Sequence, residues 1–565
     1  MKFTAGAAQR VPFNRKRPAV AIVLCALVAA FVYLPTLRYQ LVWDDVDIIV
    51  QNESPPLQAF AHSFWYGGGA GILGKDPYYR PLANFSLGVD ELVAGHHAWY
   101  FHMVNLLLHA TVVALAGVVV WQVFGSFWLV LLAGLICAVH PLAADSVAYV
   151  SGRTDLLACA GLLVALLGFL RLQRRHDWRA VLLMWVGFTV AVLSKETAVM
   201  FAVVAGVILS ARGFKRMHRR DRVALAGVLV LLVAYLAARY AVLGSIVGTA
   251  VGRNIGANLL LSLNNLGRLL LIAVLPPGQG VFLWTPAGLG WFTLFALPGI
   301  VYLALPFVLK PVRRSGTAGL AWLWGTAMLL PFAGLAGFGP VGRLLYVPGV
   351  GFVLLALLAG RGVTRGTRNG RVAAVVTTLA YCVLLALLVL PQRMRVWKDG
   401  YTLFRQMTRE APRYPAGHFN YAFELRRRGD IDGAVSEYRQ AIALDPGMAL
   451  AYSNLGALLQ SKGELAQAES LYLKTIELRP GYALAWNNLG IVRYKRGDGA
   501  GAVQAFRKSI ELKPDDAGAV YNLGRIYQQA GMPDSAAVVF ERAYRLEPGN
   551  PQIRASYEQT HGQKQ

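Results

Sequence analysis

Eleven apolar segments between about residues 18 and 391 limit what this chain can fold into. A bilayer core of ~30 Å needs about 20 apolar residues per helix, and each segment is of that order. The segments begin near Ala19, Phe101, Phe127, Asp155, Ala180, Ala198, Val223, Trp291, Leu320, Leu344 and Val372. We therefore predict an all-α protein whose first part is a polytopic membrane helix bundle of about eleven spans.

Basic residues between the segments predict their orientation. The formal net charge of +25 would suggest a nucleic-acid partner if it lay on one soluble face, yet most of it lies in short loops between spans. The positive-inside rule places the N-terminus and four later loops in the cytoplasm, at 171–179, 212–222, 310–314 and 361–371. We therefore expect no nucleic-acid partner, and the chain after residue 391 is predicted to be extracytoplasmic.

Segment 258–277 is long enough to span but carries Asn264, Asn265 and Arg268. Counting it as a span would place the last two basic loops outside. Polar or non-helical backbone at membrane depth is tolerated only against protein or water. We therefore predict a re-entrant or interfacial helix on the outer side. Short loops with a high Gly and Arg content favour a prokaryotic inner membrane.

A strict period of 34 residues marks the C-terminal part. Prolines recur with this period, and so do glycines midway between them, at 429, 463, 497 and 531. A period of this length predicts an array of helix-turn-helix units. It resembles the tetratricopeptide repeat, with four copies and a capping helix over 551–559. We place a membrane domain at 1–395, with its first extracytoplasmic loop at 39–100, and an extracytoplasmic α-solenoid of repeats at 396–565.

One asparagine recurs in phase in every repeat, as Asn420, Asn454, Asn488 and Asn522. In tetratricopeptide repeats a similar position lines the concave groove. Amide side chains both donate and accept hydrogen bonds, so a ladder of them can hold the backbone of an extended peptide. Asparagine is also common at this position in repeats generally. Binding of a protein or peptide acceptor and simple drift of a consensus therefore both remain open.

Two adjacent carboxylates, Asp44 and Asp45, follow the first apolar segment in a chain that is otherwise short of acid. A carboxylate beside a bilayer is costly unless it is paired or used, which indicates a catalytic base at the membrane surface. Neighbouring residues of a helix point about 100° apart, so the two are not expected to contact the same atom. One would act as base while the other orients a cation or caps a helix. The alternative is that they only mark the helix end.

Several short motifs in the membrane part share one order and one side of the membrane. They are Trp43-Asp44-Asp45, Tyr79-Arg80-Pro81-Leu82, Phe101-His102, His140-Pro141, Gly152-Arg153-Thr154-Asp155, Ser194-Lys195-Glu196 and Arg343-Leu344-Leu345-Tyr346. With the repeats, they resemble the GT-C class of membrane glycosyltransferases, most closely the protein O-mannosyltransferases that join many spans to tetratricopeptide repeats. The resemblance implies transfer of a mannose-like sugar from a polyprenyl-phosphate donor to a hydroxyl outside the cytoplasm, with inversion at the anomeric carbon.

Such chemistry needs cations that stabilise the phosphate leaving group. Arg153, Lys195 and Arg343 lie at predicted outer ends of spans, where the positive-inside rule does not explain them. We expect these three to bind the donor phosphate. The alternatives for each are snorkelling to a lipid headgroup or pairing with Asp155 or Glu196.

Further polar residues are candidates to line the substrate pocket, namely Arg80, His102, His140, Asp155, Glu196 and Tyr346. His102 shares one helical face with Asn105 and His109, for which packing and hydrogen bonding are favoured. His140 precedes a proline and is expected to stop a helix. No metal ligands are predicted, because a metal site needs a fuller ligand set, although some relatives in the wider class use a divalent ion and a divalent metal is left open.

We therefore expect a glycosyltransferase that modifies Ser or Thr of exported proteins captured by the repeats, with membrane lipid around the bundle. A rival from another class is a membrane-anchored scaffold without catalysis, whose repeats recruit envelope-assembly partners. A second rival enzyme is an oligosaccharide ligase or a lipid-acceptor transferase. The acid pair argues against the scaffold.

Overall fold

The computed structural model describes residues 16–46, 79–210, 217–244, 293–308, 316–333, 339–364 and 368–562, with a few positions between 263 and 283. The chain divides into two compact units, Met1–Gln406 and Met407–Gln565. Nearly all of the described residues are helical, so the all-α prediction is confirmed. The exception is a two-residue antiparallel pair, β1 (Phe282–Leu283) with β2 (Gly339–Pro340), in which Phe282 lies opposite Pro340.

Before the repeats, the described residues are almost entirely helical. In chain order the helices are α1 (Lys16–Val32), α2 (Pro81–Ala94), α3 (Ala98–Phe124), α4 (Phe127–Val139), α5 (Ala144–Val147), α6 (Arg153–Arg175), α7 (Trp178–Ser194), α8 (Met200–Ser210), α9 (Arg219–Leu243), α10 (Thr293–Val308), α11 (Gly316–Ala333), α12 (Val341–Thr364), α13 (Arg368–Leu384), α14 (Leu390–Val396) and α15 (Gly400–Glu410). A π-helical segment, Leu385–Val389, connects α13 to α14. Each of the eleven predicted segments overlaps one of these helices.

Five helices in the described part of the chain are long and apolar enough to cross a membrane. They are Pro18–Arg38, Ala98–Phe124, Val150–Arg175, Arg219–Leu243 and Val375–Val396, and a pair bent by 49°, Phe127–Val139 with Pro141–Val147, would make a sixth. Four shorter apolar helices accompany them. The chain is thus an integral membrane protein, while the count of eleven spans stays a prediction. Segment 258–277 lies mostly outside the described residues, so its re-entrant course also stays a prediction.

Glycines allow α6 and α7 to pack backbone against backbone. A Cβ atom on Gly187 would lie 2.4 Å from the backbone nitrogen of Ala165, and one on Gly168 would lie 2.5 Å from that of Met184. Small residues let membrane helices approach closely, and the close approach increases the dispersion contacts between them. These contacts matter because the hydrophobic effect does not drive helices together inside a bilayer. Only His176 and Asp177 connect the two helices, so they form a tight antiparallel hairpin.

A bent segment between α4 and α6 carries much of the candidate site. Helix α4 ends at Val139 because His140 precedes a proline and is extended, with φ −65° and ψ 124°. The chain continues through a 3-10 turn at Pro141–Ala143, through α5, and through a second 3-10 turn at Val150–Gly152. A Cβ atom on Gly152 would lie 2.5 Å from the carbonyl oxygen of Ser146, so the segment folds tightly on itself.

The second unit is an array of antiparallel helix pairs. Its helices are α16 (Pro415–Arg427), α17 (Ile431–Leu444), α18 (Ala449–Ser461), α19 (Leu465–Leu478), α20 (Ala483–Lys495), α21 (Gly499–Leu512), α22 (Ala517–Gln529), α23 (Pro533–Leu546) and α24 (Pro551–Gly562). The four periodic glycines connect the paired helices with φ between 72° and 89°, a region that favours glycine. The predicted solenoid of tetratricopeptide repeats is therefore confirmed.

Candidate active site

The two adjacent carboxylates have different environments. Asp45 is fully buried. Its Oδ1 accepts hydrogen bonds from the Ser151 backbone nitrogen at 2.7 Å and from Ser151 Oγ at 2.6 Å. Its Oδ2 accepts from the nitrogens of Val42 and Val150, both at 3.3 Å. Four donors surround this buried carboxylate, so Asp45 anchors the start of the first loop to the bent segment, and its oxygens are not exposed to a substrate.

Burial raises the pKa of Asp45 to about 7, although the hydrogen bonds from Ser151 and Val42 lower it and the charge of Asp44 raises it slightly. The folded protein therefore holds this proton more tightly than the unfolded chain, whose aspartates titrate near 4. It follows that the free energy of unfolding should fall as the pH rises from about 4 through 7, because ionising Asp45 costs more in the folded state.

This pH effect can be isolated by comparing variants. We expect the unfolding temperature of the wild-type protein in detergent to decrease relative to that of Asp45→Asn between pH 5 and pH 8. Asp177→Asn is the matched control, because hydrogen bonds from Arg171 hold the pKa of Asp177 at about 2, well below this range. The difference in unfolding temperature between Asp177→Asn and the wild-type protein should not change with pH. An equal pH dependence in wild type and Asp45→Asn would contradict the prediction.

Asp44 is exposed, and its Oδ2 accepts a hydrogen bond of 2.7 Å from the hydroxyl of Tyr149. Among the described residues, no donor bonds to its Oδ1. The preceding residue, Trp43, has φ 55°, in the left-handed region that bulky residues rarely adopt. This turn directs the two aspartates to different neighbours. Asp44 is thus the carboxylate that can reach a substrate.

Tyr149 lies at the centre of an aromatic stack. Its ring is stacked with those of Trp43 and Trp397, whose centroids lie 6.1 Å and 4.8 Å away. The guanidinium of Arg343 lies over the same ring, 4.9 Å from its centroid. One side chain therefore contacts both the exposed carboxylate and a cation.

That cation belongs to a cluster of charges around Asp155, which is buried at the start of α6. Asp155 Oδ2 accepts from Arg343 Nε at 3.0 Å, and its Oδ1 pairs with the ammonium of Lys195. Arg343 Nη2 also donates to the carbonyl oxygen of Ser151, at 3.2 Å. Lys195 and Arg343, both predicted as phosphate ligands, are thus brought together on one acid.

A second ion pair adjoins this cluster. Arg80 donates to both oxygens of Glu196, with distances of 2.9 Å and 2.7 Å. Their side chains are 17% and 28% exposed, so this pair forms the more open side of the cluster. Glu196 follows Lys195 in the chain, and Lys195 is close enough to feel the charges of both Arg80 and Arg343. Among the residues of this cluster that the structure describes, three cations face two carboxylates, which leaves one positive charge in excess.

Arg153, the third predicted phosphate ligand, lies elsewhere. Its guanidinium has no accessible surface and forms an ion pair with Asp90. It also donates to Asn105 Oδ1 at 2.9 Å and to the carbonyl oxygen of Phe101 at 2.9 Å. A side chain held in this way supports the junction of α2, α3 and α6 and offers no donor to a ligand. We therefore exclude Arg153 from the proposed phosphate site.

The polar stripe on α3 is buried. Asn105 Nδ2 donates to the carbonyl oxygens of Tyr149 and Val150, each at 3.1 Å, so it supports the bent segment. His109 Nδ1 lies 2.7 Å from the hydroxyl of Tyr346. His102 is fully buried and packs edge-on against the ring of Tyr39. These positions suit packing and hydrogen bonding. His140 Nδ1 accepts from the Leu142 nitrogen at 3.4 Å, as expected of a helix stop.

Sequence reasoning missed a buried charge pair beside the site. Arg393 donates to both oxygens of Asp145, at 3.0 Å and 2.6 Å, and Trp397 Nε1 donates to the same carboxylate at 3.2 Å. Both charged side chains are fully buried. The signal was available, because an ionisable residue inside an apolar stretch indicates a specific partner. Tyr149 and Ser151 gave no comparable signal.

The fold and the site define a class of protein, a polytopic membrane bundle with a charged site, joined to tetratricopeptide repeats. The family model for dolichyl-phosphate-mannose-protein mannosyltransferase matches residues 77–240, which include Arg80, Asp155 and Lys195. Models for the tetratricopeptide repeat match residues 424–463, 447–515 and 493–559.

Similar proteins narrow this class further. The chain is 31% identical to protein O-mannosyl-transferase Tmtc2 of Drosophila melanogaster, over 41% of this chain and 26% of that one. It is 34% identical to protein O-mannosyl-transferase TMTC1 of Mus musculus, over 38% and 25%. With TMTC1 of Homo sapiens it shares 26% identity over 80% of this chain and 59% of the relative. The resemblance to the transmembrane and tetratricopeptide-repeat O-mannosyltransferases is therefore confirmed, although the chain spans only about a quarter of the length of the first two relatives.

Proposed function

We propose that this protein is an inverting membrane glycosyltransferase. It transfers a mannose-like sugar from a polyprenyl-phosphate donor to Ser or Thr hydroxyls of exported proteins, on the extracytoplasmic face. The observation that carries the proposal is Tyr149, whose hydroxyl bonds to Asp44 and whose ring lies under Arg343. The candidate base and the candidate phosphate site are thus joined by one side chain.

Asp44 is the proposed base. Its Oδ1 accepts the proton of the acceptor hydroxyl while the hydroxyl oxygen attacks the anomeric carbon of the sugar. The bond from that carbon to the phosphate oxygen breaks on the opposite face, which inverts the configuration. The hydrogen bond from Tyr149 fixes the other carboxylate oxygen, so that Oδ1 is oriented before the acceptor arrives.

The charge cluster of Arg80, Lys195 and Arg343 is proposed to bind the donor phosphate. A sugar phosphodiester carries one negative charge, which matches the single positive charge in excess. When the sugar leaves, the lipid phosphate gains a second negative charge. Cations that already stand in place stabilise this developing charge without reorganising, which is the main source of electrostatic catalysis. No metal ion is assigned to this step.

Removing a cluster cation should weaken use of the donor. We expect Lys195→Ala and Arg343→Ala each to lower kcat/KM for the lipid-linked sugar by about 10-fold to 100-fold, the equivalent of one charged hydrogen bond. Arg395→Ala is the matched control, since this exposed arginine lies in the last turn of α14 and does not belong to the cluster. Unchanged donor kinetics in both cluster variants would place the phosphate elsewhere.

Turnover of the donor by purified protein separates this proposal from its rivals. Sugar recovered on Ser or Thr of a protein acceptor supports the proposed function. Sugar recovered only on a lipid or an oligosaccharide indicates the rival transferase. Absence of turnover with every acceptor, in protein that is folded, indicates a scaffold.

The repeats are proposed to hold the acceptor polypeptide. All four asparagines lie on the first helix of a helix pair and are partly exposed. Asn454 Nδ2 donates to the Tyr438 hydroxyl at 3.3 Å, and Asn522 Nδ2 donates to Asn487 Oδ1 at 3.1 Å. These bonds orient the amides while their carbonyl oxygens remain available to a peptide N–H. Binding at the array raises the effective concentration of an acceptor at the bundle.

The asparagines should matter only for long acceptors. We expect the variant with all four changed to alanine to raise KM for an unfolded protein acceptor by about tenfold or more, because the tethering advantage is lost. Its kinetics on a short Ser/Thr peptide should equal those of wild type. Circular dichroism should confirm that the helices remain folded. An equal rise in KM for both acceptors, or no rise for either, would contradict an acceptor-binding role.

A further inference from the structure

Two histidines and an aspartate meet at the end of α6 that is opposite to the candidate active site. His176 ends α6, about 35 Å along the helix from Arg153. His218 and Asp221 lie at the start of α9. One potential ligand atom from each of the three side chains lies within 4.8 Å of the other two. The positive-inside rule places both segments on the cytoplasmic side.

We infer that His176, His218 and Asp221 form a binding site for a divalent transition metal, of which zinc is the best match. Two imidazoles and one carboxylate are a ligand set that zinc accepts, with water as the fourth ligand. In a tetrahedral zinc site the ligand atoms are about 3.3 Å apart, so only small side-chain rotations are needed to close the triad around an ion.

The geometry around the triad supports this inference. His176 Nδ1 lies 2.7 Å from Asp221 Oδ1, and the two imidazole rings are stacked with centroids 4.5 Å apart. His218 Nδ1 accepts from the Arg220 backbone nitrogen, which leaves the opposite ring nitrogen, Nε2, for a metal. Asp221 is almost fully buried. Two stacked imidazoles would repel each other if both were protonated, whereas neutral rings are what a metal requires.

One cation beside the triad, Arg220, is engaged by other groups. Arg220 Nη1 donates to the carbonyl oxygen of His176 at 2.5 Å, and its guanidinium lies over the ring of Trp178. These contacts hold the turn between α6 and α7 against the start of α9. His176 itself has φ 45°, an unusual conformation for a residue other than glycine, and this conformation directs its ring towards Asp221. A metal ion would thus fasten the α6–α7 hairpin to α9.

The test uses the full-length protein, purified in detergent with a tag that contains no histidine and stripped with a chelator. Zinc is added alone, and binding is measured by titration calorimetry and by elemental analysis after desalting. We expect one zinc ion per chain and a rise in unfolding temperature. His218→Asn is the decisive variant, because asparagine retains the helix cap but is a poor zinc ligand.

His218→Asn should weaken zinc binding by more than the roughly 10-fold to 100-fold that loss of an outer-shell partner costs, and should abolish the thermal shift. His96→Ala, which removes an exposed histidine beside Glu91, should behave as wild type. Zinc retention and thermal shift equal to wild type in His218→Asn would overturn the inference. So would failure of the wild-type protein to bind zinc, which would leave the triad as a hydrogen-bonded contact only. Neither result bears on sugar transfer.

Discussion

Asp44→Asn should remove sugar transfer while the protein remains folded and able to bind its donor. The asparagine keeps the shape of the side chain and can still accept from Tyr149, but it cannot take the proton of the acceptor hydroxyl. Loss of a general base lowers rates by roughly 10² to 10⁴. The measurement is single-turnover transfer to a Ser/Thr peptide at saturating donor, together with donor binding at equilibrium.

Two variants make this result specific. Glu91→Gln removes a carboxylate on α2 that contacts His96, and it should transfer sugar normally. Asp45→Asn replaces an acceptor that bonds four donors, so we expect it to alter the stability of the first loop as well as activity. Near-normal transfer by Asp44→Asn would exclude it as the base. If Asp45→Asn alone lost transfer without any change in stability, the roles of the two aspartates would be exchanged.

The second large effect concerns stability. Arg393→Met should lower the free energy of unfolding by about 3–5 kcal/mol, because it leaves the carboxylate of Asp145 buried without its charge partner. Asp145→Asn should have a smaller but similar effect, because it removes the negative charge opposite the buried Arg393 guanidinium. Denaturation in mixed micelles, followed by tryptophan fluorescence, measures this loss.

The double variant Asp145→Leu/Arg393→Met is the matched control. Replacing both members of a buried ion pair by apolar side chains is often neutral or even stabilising. We therefore expect the double variant to recover most of the stability that Arg393→Met loses. A double variant as unstable as the single ones would show that shape at this position, and not an unpaired charge, causes the loss. Unchanged stability in Arg393→Met would contradict the prediction directly.

Features that depend on local pattern could be predicted from the sequence. Apolar segments of about 20 residues predicted the positions of the helices, and the 34-residue period predicted the repeats, because both arise from neighbouring residues. The periodic glycines, Gly429 among them, occupy the left-handed turns that the repeat requires. The pairing of Lys195 with Asp155 was an alternative to phosphate binding that the sequence already indicated.

Features that depend on distant contacts could not be predicted. The burial of Asp45 depends on Ser151, which is 106 residues away in the chain. Nothing near Asp45 in sequence distinguishes it from its neighbour. Arg153 lies at the end of a helix, as the other expected phosphate ligands do, yet its guanidinium pairs with Asp90. The partner of Asp145 is 248 residues away.

The close approach of α6 and α7 at their glycines has a consequence for the charge cluster. Asp155 begins α6 and Lys195 follows α7, so the alignment of the two helices sets the distance between these opposite charges. At Gly187 the two helices approach so closely that an added Cβ atom would lie 2.4 Å from the Ala165 nitrogen, which restricts how far the helices can shift against each other. This contact at Gly187 lies about 12 Å along α7 from Lys195. The packing of the hairpin therefore sets the distance between Asp155 and Lys195, although the contact that fixes the packing is remote from both charges.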